Sequence, residues 1–127
     1  MKKLFIYTFL LLAIACSTTI DATKVDALKL EELLKTEGIQ LIDLRTPSEL
    51  SATGKIATAK HIDFNGSDFK SQIDQLDKGQ PTIIYCASGK RSGQAAAMMA
   101  TMGFETVYDY TGGMNDWTAK GKKTVKE

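Results

Sequence analysis

The chain has 127 residues, the length of one domain. Its formal charge is +1, and setting aside the first fifteen residues, which hold Lys2, Lys3 and no acid, leaves 14 basic and 15 acidic residues. A balance so close to neutral gives no reason to expect nucleic acid or an acidic polymer as partner, and any attraction for anions has to be local.

Met1, Lys2 and Lys3 form a short positive start, followed by an apolar run over residues 4–14. Eleven residues are too few to span a bilayer, which takes roughly 20, but they suit the apolar stretch of a secretory signal. Ala13, Ile14 and Ala15 supply the small-x-small pattern before a cleavage point, and Cys16 follows directly. The expected organisation is a signal peptide over residues 1–15, a polar tether over 16–24 and one folded domain over 25–127. The protein is therefore expected to be exported. A cysteine directly after the cut resembles the bacterial lipobox, in which that thiol receives a lipid. The resemblance implies lipidation at Cys16 and a membrane-anchored lipoprotein, although Ala13 stands where a lipobox usually has Leu. A soluble periplasmic protein cut at the same place is the alternative.

Residues 27–35 carry apolar side chains at 27, 28, 30, 33 and 34, the spacing of an amphipathic helix. Asp26 is placed to cap it and Gly38 to end it. Residues 39–42 read as a buried strand, with Asp43, Leu44 and Arg45 leaving its end. A short helix starts at Pro47, a residue suited to a first turn. Residues 61–64 read as a strand, Asn65 and Gly66 as a turn, and residues 68–76 as a helix with Phe69, Ile73 and Leu76 on one face. Ile83, Ile84 and Tyr85 form a β-branched and aromatic strand that ends at Cys86. A loop through Ser88 to Arg91 leads into a helix over 92–102, which Gly103 stops. Residues 107–109 are the last strand, Gly112 and Gly113 a turn, and residues 114–119 a closing helix. Strands alternating with helices, and apolar on both sides, imply an α/β domain: a mostly parallel sheet with helices on both faces. Such sheets bind ligands at the carboxyl ends of their strands, where Asp43 and Cys86 both lie.

The segment Cys86, Ala87, Ser88, Gly89, Lys90, Arg91, Ser92 joins a strand to a helix. Inward-pointing N–H groups of a tight loop form an anion-binding nest. The following helix adds the positive end of its dipole, and Lys90 and Arg91 add formal charge. All three favour thiolate over thiol. Lowering a thiol from about 8.5 to about 6.5 takes about 2.7 kcal/mol. A helix N-terminus typically supplies about 0.3–1 kcal/mol, so the nest and the basic side chains are expected to supply the rest.

Cys-x-x-Gly-Lys-Arg-Ser after an apolar strand resembles the active-site loop of the rhodanese family. Residues 41–49 resemble its D-x-R-x-x-x-E motif, through Asp43, Arg45 and Glu49. Residues 112–117 resemble its closing G-G-x-x-x-W motif, through Gly112, Gly113 and Trp117. The chain departs from the family's G-H-I-P-G-A, having Lys55 for His and Ala57 for Pro, and Leu50 stands where an aromatic is common. Cysteine phosphatases use a longer Cys-x5-Arg cradle, whereas this chain spaces Cys86 and Arg91 by four residues.

The resemblance implies a single rhodanese-like domain acting as a thiosulfate-type sulfurtransferase, with Cys86 as nucleophile and residues 87–92 holding its persulfide. The partners it implies are a small sulfur donor such as thiosulfate and a cyanide or thiol acceptor, with no metal or organic cofactor. Lys90 and Arg91 are expected to draw an anionic donor, with Arg91 alternatively bracing the loop. Asp43 and Arg45 are expected as scaffold beside the site, His61 as structural, and Met114 and Trp117 as core. Two other classes remain: a sulfur-carrier or partner-binding module with little turnover, and an exported thiol-redox protein in which Cys16 would resolve Cys86.

Overall fold

The structure, a computed structural model, describes residues 20–126, so the signal segment and Cys16 lie outside the described residues. Five strands and five helices alternate: β1 (Thr23–Val25), α1 (Ala27–Leu33), β2 (Gln40–Asp43), α2 (Pro47–Thr53), β3 (Lys60–His61), α3 (Phe69–Asp74), β4 (Thr82–Tyr85), α4 (Lys90–Met99), β5 (Val107–Tyr110) and α5 (Gly113–Ala119). The strands form one parallel sheet in the order β1-β5-β4-β2-β3.

Neighbouring residues of a strand face opposite sides, and both sides here are dry. Ile42, Ile84 and Val107 face a core completed by Phe69 and Ile73 of α3 and by Ala95, Ala96 and Met99 of α4. Leu41, Ile83, Tyr85 and Tyr110 face the other core, with Ala27 and Leu30 of α1 and Met114 and Trp117 of α5. Helices on both faces explain why strands read as continuous apolar runs instead of alternating ones.

The helix starts follow local chemistry. The Asp26 carboxylate accepts from the Lys29 N–H at 2.9 Å. Thr46 caps α2 in a reciprocal box: its hydroxyl accepts from the Glu49 N–H, and Glu49 accepts from the Thr46 N–H at 2.8 Å.

Most element ends differ from expectation by one to three residues, as where α1 ends at Leu33 and α4 at Met99, and three differences change the sheet or the site. Residues 23 and 24, placed in the tether, belong to β1, which pairs with β5 in the register Thr23↔Tyr108, Lys24↔Asp109, Val25↔Tyr110. Its side chains are exposed except Val25, so the pairing comes from the free edge of β5 and not from a local apolar pattern. The fourth helix starts at Lys90 and not at Ser92, which puts Lys90 and Arg91 in its first turn. The expected strand over 61–64 is reduced to Lys60–His61, although Ile62 and Phe64 still donate to the Asp43 and Leu44 carbonyls at 3.0 Å.

Candidate active site

Cys86 follows β4 directly and is 1% exposed. The loop after it turns at Gly89, whose φ of +92° is a left-handed conformation that glycine adopts readily. That turn brings the Gly89 N–H to 3.2 Å and the Ser92 N–H to 3.5 Å from Cys86 Sγ. The Ser92 hydroxyl lies 3.7 Å from the sulfur. Burial pushes the thiol's pKa up, but the Ser92 N–H and hydroxyl and the N–H groups of Gly89 and Ser88 outweigh it, and the net displacement is downward. The sulfur is thus a poised nucleophile in a ring of donors.

The basic side chains contribute less than expected to that shift. Lys90 is exposed. Arg91 turns to Glu49 of α2 in a two-pronged pair, with Nη1 to Oε2 at 2.8 Å and Nη2 to Oε1 at 2.7 Å. Arg91 therefore ties the loop to α2, and part of its charge is spent there. Arg91 also feels the sulfur, secondarily to Glu49. Hydrogen bonding from Arg91 holds the Glu49 carboxyl down at about 2. Glu49 was not among the candidate site residues, although it closes the D-x-R-x-x-x-E motif.

Asp43 and Arg45 meet beneath the loop, at 0% and 2% exposure. Arg45 Nη2 lies 2.7 Å from Asp43 Oδ2 and its Nε 3.0 Å from Oδ1. The remaining guanidinium hydrogens go to the Gly54 carbonyl, the Thr53 hydroxyl and, at 3.5 Å, the Glu49 carbonyl. The Tyr85 hydroxyl donates to Asp43 Oδ2 at 2.7 Å and accepts from the Ile56 N–H. This closed network fixes the end of β4, one residue before Cys86. None of it touches the sulfur. His61 ends β3, where its Nε2 lies 2.6 Å from the Arg45 carbonyl.

The closing double glycine sits against the loop. The Met114 and Asn115 N–H groups donate to the Cys86 and Ala87 carbonyls at 2.8 and 3.0 Å. A Cβ on Gly113 would lie 2.5 Å from the Cys86 carbonyl oxygen, and one on Gly89 2.4 Å from that of Thr111. Trp117 and Met114 are buried beneath, as expected of core residues. Lys55, at the departure from the family's G-H-I-P-G-A, lines a cavity of about 310 Å³ with Pro47, Leu50, His61 and Val125, and none of residues 86–92 reaches it.

Residues 26–120 match the model of the rhodanese-like domain. The chain is 38% identical over 89 residues to the thiosulfate sulfurtransferase GlpE of Pseudomonas putida, covering 69% of this chain and 77% of that one. It is 36% identical over 93 residues to the thiosulfate:glutathione sulfurtransferase of Saccharomyces cerevisiae, covering 65% and 67%. Its fold is similar to that of a rhodanese-related protein from Thermoplasma volcanium, with a TM-score of 0.73, 28% identity and coverage of 83% of this chain and 99% of that one.

Proposed function

This chain belongs to the rhodanese-like family, and on that premise we propose that it is a thiosulfate-type sulfurtransferase working through a persulfide on Cys86. The observation that carries the reading is the ring of N–H donors around a buried sulfur whose pKa is displaced downward.

In the first half-reaction the Cys86 thiolate attacks the outer sulfur of thiosulfate. The S–S bond of the donor breaks, sulfite leaves with its electron pair, and Cys86 carries a persulfide. The persulfide's terminal sulfur keeps one negative charge, and the inward N–H groups of the loop are placed to hold it. In the second half-reaction cyanide or a thiolate attacks that terminal sulfur, and the Cys86 thiolate returns as leaving group. The first product departs before the second substrate reacts, so the kinetics are ping-pong. Lys90, exposed at the loop's rim, is the cation available to draw an anionic donor.

Initial rates of thiocyanate formation, with thiosulfate varied at several fixed cyanide concentrations, test this. Parallel double-reciprocal lines, and loss of turnover in Cys86→Ser, are the expected result. Intersecting lines, or turnover that survives Cys86→Ser, would contradict a Cys86 intermediate.

We further propose that residues 1–15 direct export and that Cys16 is lipidated, which would place the domain at a membrane surface facing out of the cytoplasm. The support is the order of positive start, apolar run, small-x-small pattern and cysteine. Lipidation would also remove Cys16 as a resolving thiol. The mass of the mature N-terminal peptide tests it. A lipid-modified Cys16 at the first position is expected, and an intact Met1 or an unmodified Cys16 would overturn it.

A further inference from the structure

Asp109 is a buried titratable group that the mechanism above leaves unused. It lies in β5, in register with Lys24 of the edge strand β1, so the two side chains leave the same face of the sheet. It is 3% exposed, and its Oδ1 has no hydrogen-bond partner. A buried carboxyl oxygen without a partner costs free energy and calls for an explanation. Asp109 lines an open cleft of about 190 Å³. One wall is α4, through Gly93, Ala96, Ala97 and Ala100, four small residues at the spacing of a single helix face. The other wall is the segment entering β1, where Ile20 is apolar and Asp21 and Lys24 are charged and exposed. None of residues 86–92 lines the cleft, so it is separate from the site at Cys86.

The lining decides what fits. Asp109 and Asp21 set two carboxylates against the one ammonium of Lys24, so the cleft favours a cation. Lys24 acts on Asp109 through its charge, but among the described residues no hydrogen bond or ion pair joins it to either carboxylate. Oδ1 needs a donor, and an ammonium group carries three donors and no acceptor. The α4 wall offers no polar side chain, only room for methylenes. A cavity of about 150 Å³ holds benzene, so this cleft takes an ammonium on about four or five carbons.

We propose that this cleft binds the primary ammonium group of an alkylamine, with the ammonium on Asp109 and the alkyl chain along α4. Asp109 Oδ1 accepts from the ammonium at the floor, and Asp21 adds negative charge at the rim. The glycine and alanines of α4 leave the chain its slot. Burial pushes the Asp109 carboxyl above the ordinary carboxylate range while Ser92 and Lys24 pull the other way, and a bound ammonium adds to that downward pull. The ammonium has two sources, a free amine and the lysine side chain of another protein, and the test separates them. Nothing in this site depends on sulfur transfer.

Amide NMR spectra of the full chain, followed as n-butylammonium is added at neutral pH, test the proposal. Saturable shifts at Gly93, Ala97 and Asp109 are expected. 1-Butanol has the chain without the charge, and tetramethylammonium has the charge without N–H groups; both are expected to leave those signals in place. Asp109→Asn is expected to weaken binding by about tenfold or more and Asp21→Asn by about threefold, with the same spectra showing that each variant is folded. Ala97→Leu fills the cleft from an exposed position and is expected to abolish binding with both carboxylates intact. Lys24→Gln removes a like charge and is expected to tighten binding. No saturable shift, equal shifts with butanol, full binding by Asp109→Asn or Ala97→Leu, or loss of binding in Lys24→Gln would overturn the site. Nα-Acetyl-lysine methylamide carries the same ammonium on a backbone. Tighter binding of it than of butylammonium supports the site with a protein lysine as occupant, and weaker binding supports it with a free amine.

Discussion

Glu49 carries two duties with one carboxylate: it completes the cap of α2 and anchors Arg91 of the active-site loop. Its pKa is held at about 2, below the ordinary 4.5. A depressed carboxyl stabilises the fold above its ordinary pKa, and that contribution is lost as pH falls through the depressed value. The stability difference between wild type and Glu49→Gln, from denaturant midpoints, is therefore expected to be full above pH 4.5 and to shrink steadily towards pH 2. A difference constant with pH would mean that the pair contributes nothing. Asp43 is a harsher case. Asp43→Ala strands the Arg45 guanidinium in the core, and removing one partner of a buried pair costs about 3–5 kcal/mol; urea unfolding measures it. The sequence showed these residues in a motif but not their partners. Arg91 and Glu49 are 42 residues apart, and either duty for Arg91, drawing the donor or bracing the loop, was compatible with its place in the chain.

At the scale of elements, the loop of residues 86–92 and the turn before α5 form one unit held by backbone contacts. Gly113 has φ +61°, and any Cβ there meets the Cys86 and Ala87 carbonyls. Gly113→Ala is expected to push the loop out of register with its own sulfur and to cut turnover by about a hundredfold, the scale of a 1 Å misplacement. Alkylation of Cys86 should slow as well, since the N–H ring is what lowers the thiol pKa. Thr58 gives the opposite prediction. It is exposed, at φ +70°, in the place where the family's G-H-I-P-G-A has its second glycine. A β-branched residue in that conformation is strained, so Thr58→Gly is expected to raise stability by about 0.5–1 kcal/mol with turnover unchanged. A lower unfolding midpoint would contradict it. Helix positions were legible because caps, first-turn residues and spacing are local signals, as at Asp26 and Pro47. The contact of Gly113 with the loop was not, because it joins segments that only the sheet brings together.

The whole molecule places the nucleophile by topology. Parallel strands β2, β4 and β5 end together, and Cys86 stands one residue beyond the middle one. The order of strands and helices was legible in the chain because each central strand carries a short apolar stretch: Leu41 and Ile42 in β2, Ile83 to Tyr85 in β4, Val107 and Tyr108 in β5. The edge strand β1 was not: three residues, two of them exposed, become a strand only because β5 offers an unpaired edge. A chain shortened to begin at residue 26 is expected to lose that edge cover and to unfold at lower denaturant than one beginning at residue 20. The central claim, that Cys86 carries the sulfur, is tested most directly by intact mass after thiosulfate alone. The wild type is expected to gain the mass of one sulfur atom, to lose it when cyanide is added, and to show neither change as Cys86→Ser. A wild type that gains nothing, or a mutant that gains the same sulfur, would contradict the account.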